Sequence, residues 1–170
     1  MNFKKIAAIL VLLSLVIIAA SCAEKEVSPF TEKDGLYTFT DTENCPFDDC
    51  GLKIDVKNGD GGYIKFTKTG LDGAETVDYY TFFADGTMEK FYFVSAMGTG
   101  FYYTFDTSAD ELVKIENSER EDSSESTKSM GRWDSAQDTV RGEVASLREY
   151  FSANYGSSID DALKNDNFGK

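Results

Sequence analysis

The chain has 170 residues, with 30 acidic side chains, 17 basic ones, no histidine and a net charge of −13. That length holds one globular domain plus its ends. The charge repels nucleic-acid phosphate, and the missing imidazole removes the commonest general base and metal ligand at neutral pH. No G-x-S-x-G elbow, phosphate loop or dinucleotide fingerprint occurs, and nothing selects a catalytic pair from so many carboxylates. The expectation is a protein that is not an enzyme and holds no cofactor, no metal and no nucleic acid.

The chain opens with basic Lys4 and Lys5, an uncharged run from Ile6 to Ala20, and small residues leading to Cys22. As a helix that run would reach only about 22 Å, short of the roughly 30 Å hydrocarbon core a permanent span must cross. Residues 1–21 therefore read as an export signal rather than a retained anchor. Ala19-Ala20-Ser21-Cys22 resembles the lipobox of bacterial lipoproteins, with Ala19 where most carry a branched aliphatic residue, a looseness found in spirochaete lipoproteins. The resemblance implies lipidation of Cys22, which becomes the first residue after cleavage, and Ala23 after it resembles an outer-membrane sorting context. The alternative is an ordinary secretory cut near Ala20 or Ser21, leaving Cys22 a simple thiol. Losing residues 1–21 removes Lys4 and Lys5 and no acid, so −13 becomes −15, a field that suits a basic protein partner.

Residues 22–35, mostly polar and containing Pro29, read as a lipidated tether. Cys45 and Cys50, separated by only four residues in an exported chain, predict a local disulfide that staples a loop. From Leu36 onward, short apolar or alternating runs are separated by Gly, Asp and Asn. Strands are predicted at Leu36–Thr40, Leu52–Val56, Tyr63–Lys68, Thr76–Phe83, Met88–Val94, Phe101–Phe105 and Glu111–Glu116. The clearest is Leu52–Val56, where Leu52, Ile54 and Val56 alternate with charged residues. Asn58 to Gly62 fits a hairpin loop but fails as a calcium loop, because Val56 and Thr67 fall where acids are needed. Residues 36–116 thus predict a mainly β domain, an antiparallel meander closed as a small barrel or folded as a sandwich, with a C-terminal α-helix.

Between Tyr79 and Phe105 stand 11 aromatics in 27 residues, so both faces of three strands carry rings. One face must meet the core and the other a helix, a ligand or a partner. The helix at hand lies within residues 132–156, where Val140, Val144, Leu147 and Phe151 recur at helical spacing and Gly156 can end it. Tyr80, Tyr92, Tyr102 and Tyr103 are the candidate binding surface if rings remain exposed; an apolar cavity within the β domain is the other option. Residues 117–131, rich in Ser and Glu, predict a mobile loop, and 157–170 a short helix capped by Ser158 with a frayed tail.

Gly98-Thr99-Gly100-Phe101-Tyr102-Tyr103 is loosely similar to one loop of membrane-bound lysozyme inhibitors, whose second motif is missing here. In layout the chain resembles small spirochaete outer-membrane lipoproteins. The resulting expectation is a non-enzymatic lipoprotein on the periplasmic or surface face of the outer membrane, a surface antigen or protein-binding module. A lipocalin-like carrier of an apolar ligand and a lysozyme inhibitor are the alternatives.

Overall fold

The computed structural model describes residues 28–169; the signal segment, Cys22 and the start of the tether lie outside them. Eight strands follow one another: β1 (Thr31–Lys33), β2 (Leu36–Asp41), β3 (Gly51–Lys57), β4 (Tyr63–Thr69), β5 (Glu75–Phe83), β6 (Thr87–Val94), β7 (Thr99–Asp106) and β8 (Glu111–Asn117). Each pairs antiparallel with the next, in the order β1 to β8. The mainly β meander expected from the alternation is present. It is a single open sheet: among the described residues β1 and β8 do not pair, so the inner face is covered by helices rather than by closure or a second sheet.

Period-two geometry sends alternate residues to that inner face. Ile54, Phe66 and Tyr80 form one row across β3–β5, because Ile54 pairs with Phe66 and Phe66 with Tyr80. Val56, Ile64, Phe82, Met88 and Phe105 form the next, all but fully buried. Three helices lie over this surface: α1 (Ser124–Ser129), α2 (Trp133–Tyr155) and α3 (Ile159–Lys164). Helix α2 buries Val140, Val144, Leu147, Tyr150 and Phe151 along one stripe and ends at Gly156, whose φ of 64° supplies the left-handed cap. Phe151 meets Phe66 edge-on at 5.9 Å, so helix and sheet share one core.

Three segments differ from the sequence reading. Residues 31–33, within the predicted tether, add an edge strand. The predicted loop 117–131 is ordered: Ser123 N–H donates to the Ile115 carbonyl (2.7 Å) and α1 follows, so backbone bonding to β8 supplies what its side chains cannot. The described part of the tail is packed down: Phe168 lies against Phe30 and Phe151 and its carbonyl accepts from Asn58 Nδ2 at 2.9 Å. Ser158 caps α3 as expected, accepting from Asp161 N–H at 3.0 Å.

One buried carboxylate joins helix and sheet. Asp41, at the end of β2, accepts from the Tyr150 hydroxyl of α2 at 2.8 Å and from the Glu43 and Asn44 N–H groups at 2.9 Å. Burial works to raise its pKa, but these hydrogen bonds outweigh it and hold the carboxyl below its ordinary value. A carboxylate depressed on folding contributes stability above its unfolded pKa and loses that contribution as pH falls through the folded value. Asp41→Asn should therefore be less stable than the wild type near neutrality in urea titrations, with the gap closing as pH drops below about 4.

Candidate ligand-binding cleft

On β6, Met88, Lys90, Tyr92 and Val94 share the inward phase, so a lysine occupies a core-facing position. The register places Tyr80, Lys90, Tyr103 and Ile115 in one row across β5–β8, with Tyr92 and Phe101 in the next. Lys90 is only 6% exposed. Its ammonium meets the Glu143 carboxylate of α2 at 2.5 Å and lies 5.7 Å from the Tyr80 ring centre and 5.4 Å from those of Tyr92 and Tyr103. The carboxylate neutralises the charge and the three rings replace its water by cation–π attraction. Burial, reinforced by Glu143, pushes the phenols of Tyr80 and Tyr103 above their ordinary values, so both stay neutral donors at physiological pH.

Beside this cluster the helical layer stands off the sheet, leaving a cleft of about 810 Å³ between β6–β8 and α1–α2. Its apolar walls include Val94, Met97, Phe101, Ile115, Met130 and Val140, and Arg132 lines it between α1 and α2. Helices α1 and α2 are both tied to β8. Ile115 N–H donates to Ser124 Oγ at 3.0 Å, fixing α1 on β8, while Leu112 N–H donates to Gln137 Oε1 at 3.2 Å and ties α2 to the same strand. The volume lies within the roughly 300–1,000 Å³ typical of small-molecule sites, as does the combination of apolar walls with a few polar groups.

The four candidate tyrosines do not form one surface. Tyr92 and Tyr103 line the cleft, but Tyr80 is 1% exposed and belongs to the core beneath Lys90. Tyr102 is consecutive with Tyr103 and so points to the opposite, outer face. There it ends a ladder in which Lys65 lies 4.2 Å over Tyr79, Tyr79 stacks on Phe91 at 5.7 Å, Phe91 meets Tyr102 at 4.6 Å, and the Arg120 guanidinium covers Tyr102 at 3.3 Å. Glu89 braces it, accepting from the Tyr79 hydroxyl at 3.0 Å and from Arg120 Nη1 at 2.7 Å. The second aromatic face expected to need a helix or partner is thus largely covered by its own cations.

Cys45 and Cys50 are free thiols with their sulphurs 2.9 Å apart. Burial and the hydrogen bond with Cys50 push the Cys45 thiol up to about 12. Phe47, inside their loop, stacks on Tyr80 at 5.6 Å. The two glycines of the lysozyme-inhibitor-like loop have packing roles. Gly98 closes a 3₁₀ turn at φ 64°, and a Cβ on Gly100 would stand 2.4 Å from Phe91 Cζ. Sequence reasoning passed over Lys90, Arg132 and Glu143. The available signal was a charged residue in the apolar phase of β6 and an acid one position before Val144 on the helix stripe.

Among the described residues no group of three or more His, Cys, Asp or Glu side chains could hold a metal. Comparisons with protein-family models, curated proteins and solved structures found no match.

Removing one partner of a buried pair strands the other charge at a cost of about 3–5 kcal/mol, whereas replacing both with apolar residues is close to neutral. Lys90→Met should therefore destabilise the fold more in urea unfolding than the double variant Lys90→Met/Glu143→Leu does.

Proposed function

We propose that this chain is an exported bacterial lipoprotein, lipidated at Cys22 and held on the outer membrane, whose non-enzymatic task is to bind an amphiphilic small molecule in the cleft. The observation that carries the binding assignment is the cleft itself, an apolar-walled space of about 810 Å³ with the Tyr103 phenol and the Lys90–Glu143 pair at its base. A protein whose helix simply sealed its sheet would have no such gap. Export to an oxidising compartment also favours joining Cys45 to Cys50.

A protein partner is the second reading. Val77 and Phe93 remain 58% and 37% exposed on the outer face, beside the capped ladder, and the anionic surface would speed encounter with a basic protein.

Two variants test the anchor and the cleft separately. Cys22→Ser should move the protein from the detergent to the aqueous phase on partitioning; retention in detergent would remove the anchor. Thr139→Trp, which sets an indole in the cleft from an exposed helix position, should abolish the fluorescence gain of an apolar naphthalene probe while leaving circular dichroism unchanged. An undiminished gain would remove the cleft.

A further inference from the structure

We infer that the occupant of the cleft is an amphiphile with a single anionic head, a carboxylate in the simplest case, and that Arg132 is the residue that selects it. The inference rests on the cleft being a ligand site and adds what kind of ligand it takes.

Charge accounting within the cleft leads to this class. Three charged residues line it: Lys90, Arg132 and Glu143. Lys90 and Glu143 neutralise each other at 2.5 Å, and the Tyr80, Tyr92 and Tyr103 rings enclose the ammonium. An anion approaching Lys90 would meet the Glu143 carboxylate already there, so the base of the cleft offers aromatic surface and phenol hydroxyls rather than net charge. The charge left over is the guanidinium of Arg132.

That guanidinium is exceptional in this protein. Of the four arginines, Arg120 pairs with Glu89, Arg141 with Asp110 and Asp138, and Arg148 with Asp160. Arg132 has no carboxylate partner among the described residues, although acids outnumber bases 30 to 17 in the chain. An arginine left open amid such an excess of carboxylates, beside an apolar cleft, is placed for an anion that the protein does not itself supply. Guanidinium suits the role because its planar fork gives two parallel donors to a carboxylate.

The apolar part of the ligand has its own surface. Met97 and Met130 are 65% and 56% exposed and line the cleft with flexible thioethers, which adapt to irregular chains. Val94, Phe101 and Ile115 continue that surface. The acidic exterior repels anions at long range, so a lone anion without apolar area is disfavoured. An anion attached to an alkyl or aromatic body gains burial that offsets the repulsion.

The test uses the mature chain carrying Cys22→Ser, with dansyl-undecanoic acid and its methyl ester as probes. The acid should bind more tightly than the ester, by roughly fivefold or more at low ionic strength, with the preference shrinking as salt is added. Arg132→Gln should erase the preference and leave ester affinity unchanged. Equal binding of acid and ester by the unsubstituted protein, or acid affinity unchanged in Arg132→Gln, would overturn the inference and leave the cleft as a site for neutral ligands. Failure of both probes to bind, or equal binding to Thr139→Trp, would overturn the cleft assignment and this inference with it.

Discussion

An open antiparallel sheet with one apolar face cannot persist in water unless something covers that face, and here the main cover is the 23-residue helix α2, with α1 and α3 beside it. Val140, Val144, Leu147 and Phe151 share one buried core with Ile54, Phe66 and Tyr80, and nearly all are sealed from solvent. The edge-on contacts of Phe66 with Phe82 and Phe151 extend this packing through both layers. Because the sheet does not close, the helix also decides which part of the inner face stays open. Its C-terminal half sets Phe151 against Phe66, and its N-terminal half, tied to β8 through Gln137, borders the cleft together with α1. The core and the cleft are two consequences of one helix placement.

The opposite face handles its rings differently. Tyr79, Phe91 and Tyr102 have no helix above them, and Lys65 and Arg120 cover the two ends of their stack while Glu89 braces both. A solvent-facing aromatic row would ordinarily invite association; alternating rings with cations satisfies it within the chain. The exposed edge strand β1 has only three residues, two of them charged, and so offers little to a foreign strand.

Much of this was legible because strand alternation and helical spacing are local properties. The seven expected strands, the helix with its stop at Gly156 and the Ser158 cap all follow from patterns within a dozen residues. The division of the tyrosines depended on strand phase: Tyr102 and Tyr103 are neighbours in sequence and therefore must part, which simple counting of aromatics conceals. The ordering of residues 117–131 was not legible, because it comes from backbone bonds to β8 and a buried Ser124 rather than from apolar side chains. The Lys90–Glu143 pair spans 53 positions, and only the register of β6 against the helix brings it together. The cleft is a property of how two helices meet a sheet, and no local signal announces a gap.

The dependence of the sheet on helix α2 can be read from one measurement, urea unfolding of Phe151→Ala followed by two signals. Trp133, the single tryptophan, reports the first turn of the helix by its fluorescence, and the tyrosine band of near-ultraviolet circular dichroism is weighted towards the sheet, because seven of the nine tyrosines stand on strands. One shared core predicts that both transitions shift together to lower urea, with a loss of about 3–5 kcal/mol. A Trp133 transition that moves while the sheet signal stays where it was would contradict the account, because the sheet would then stand without its cover.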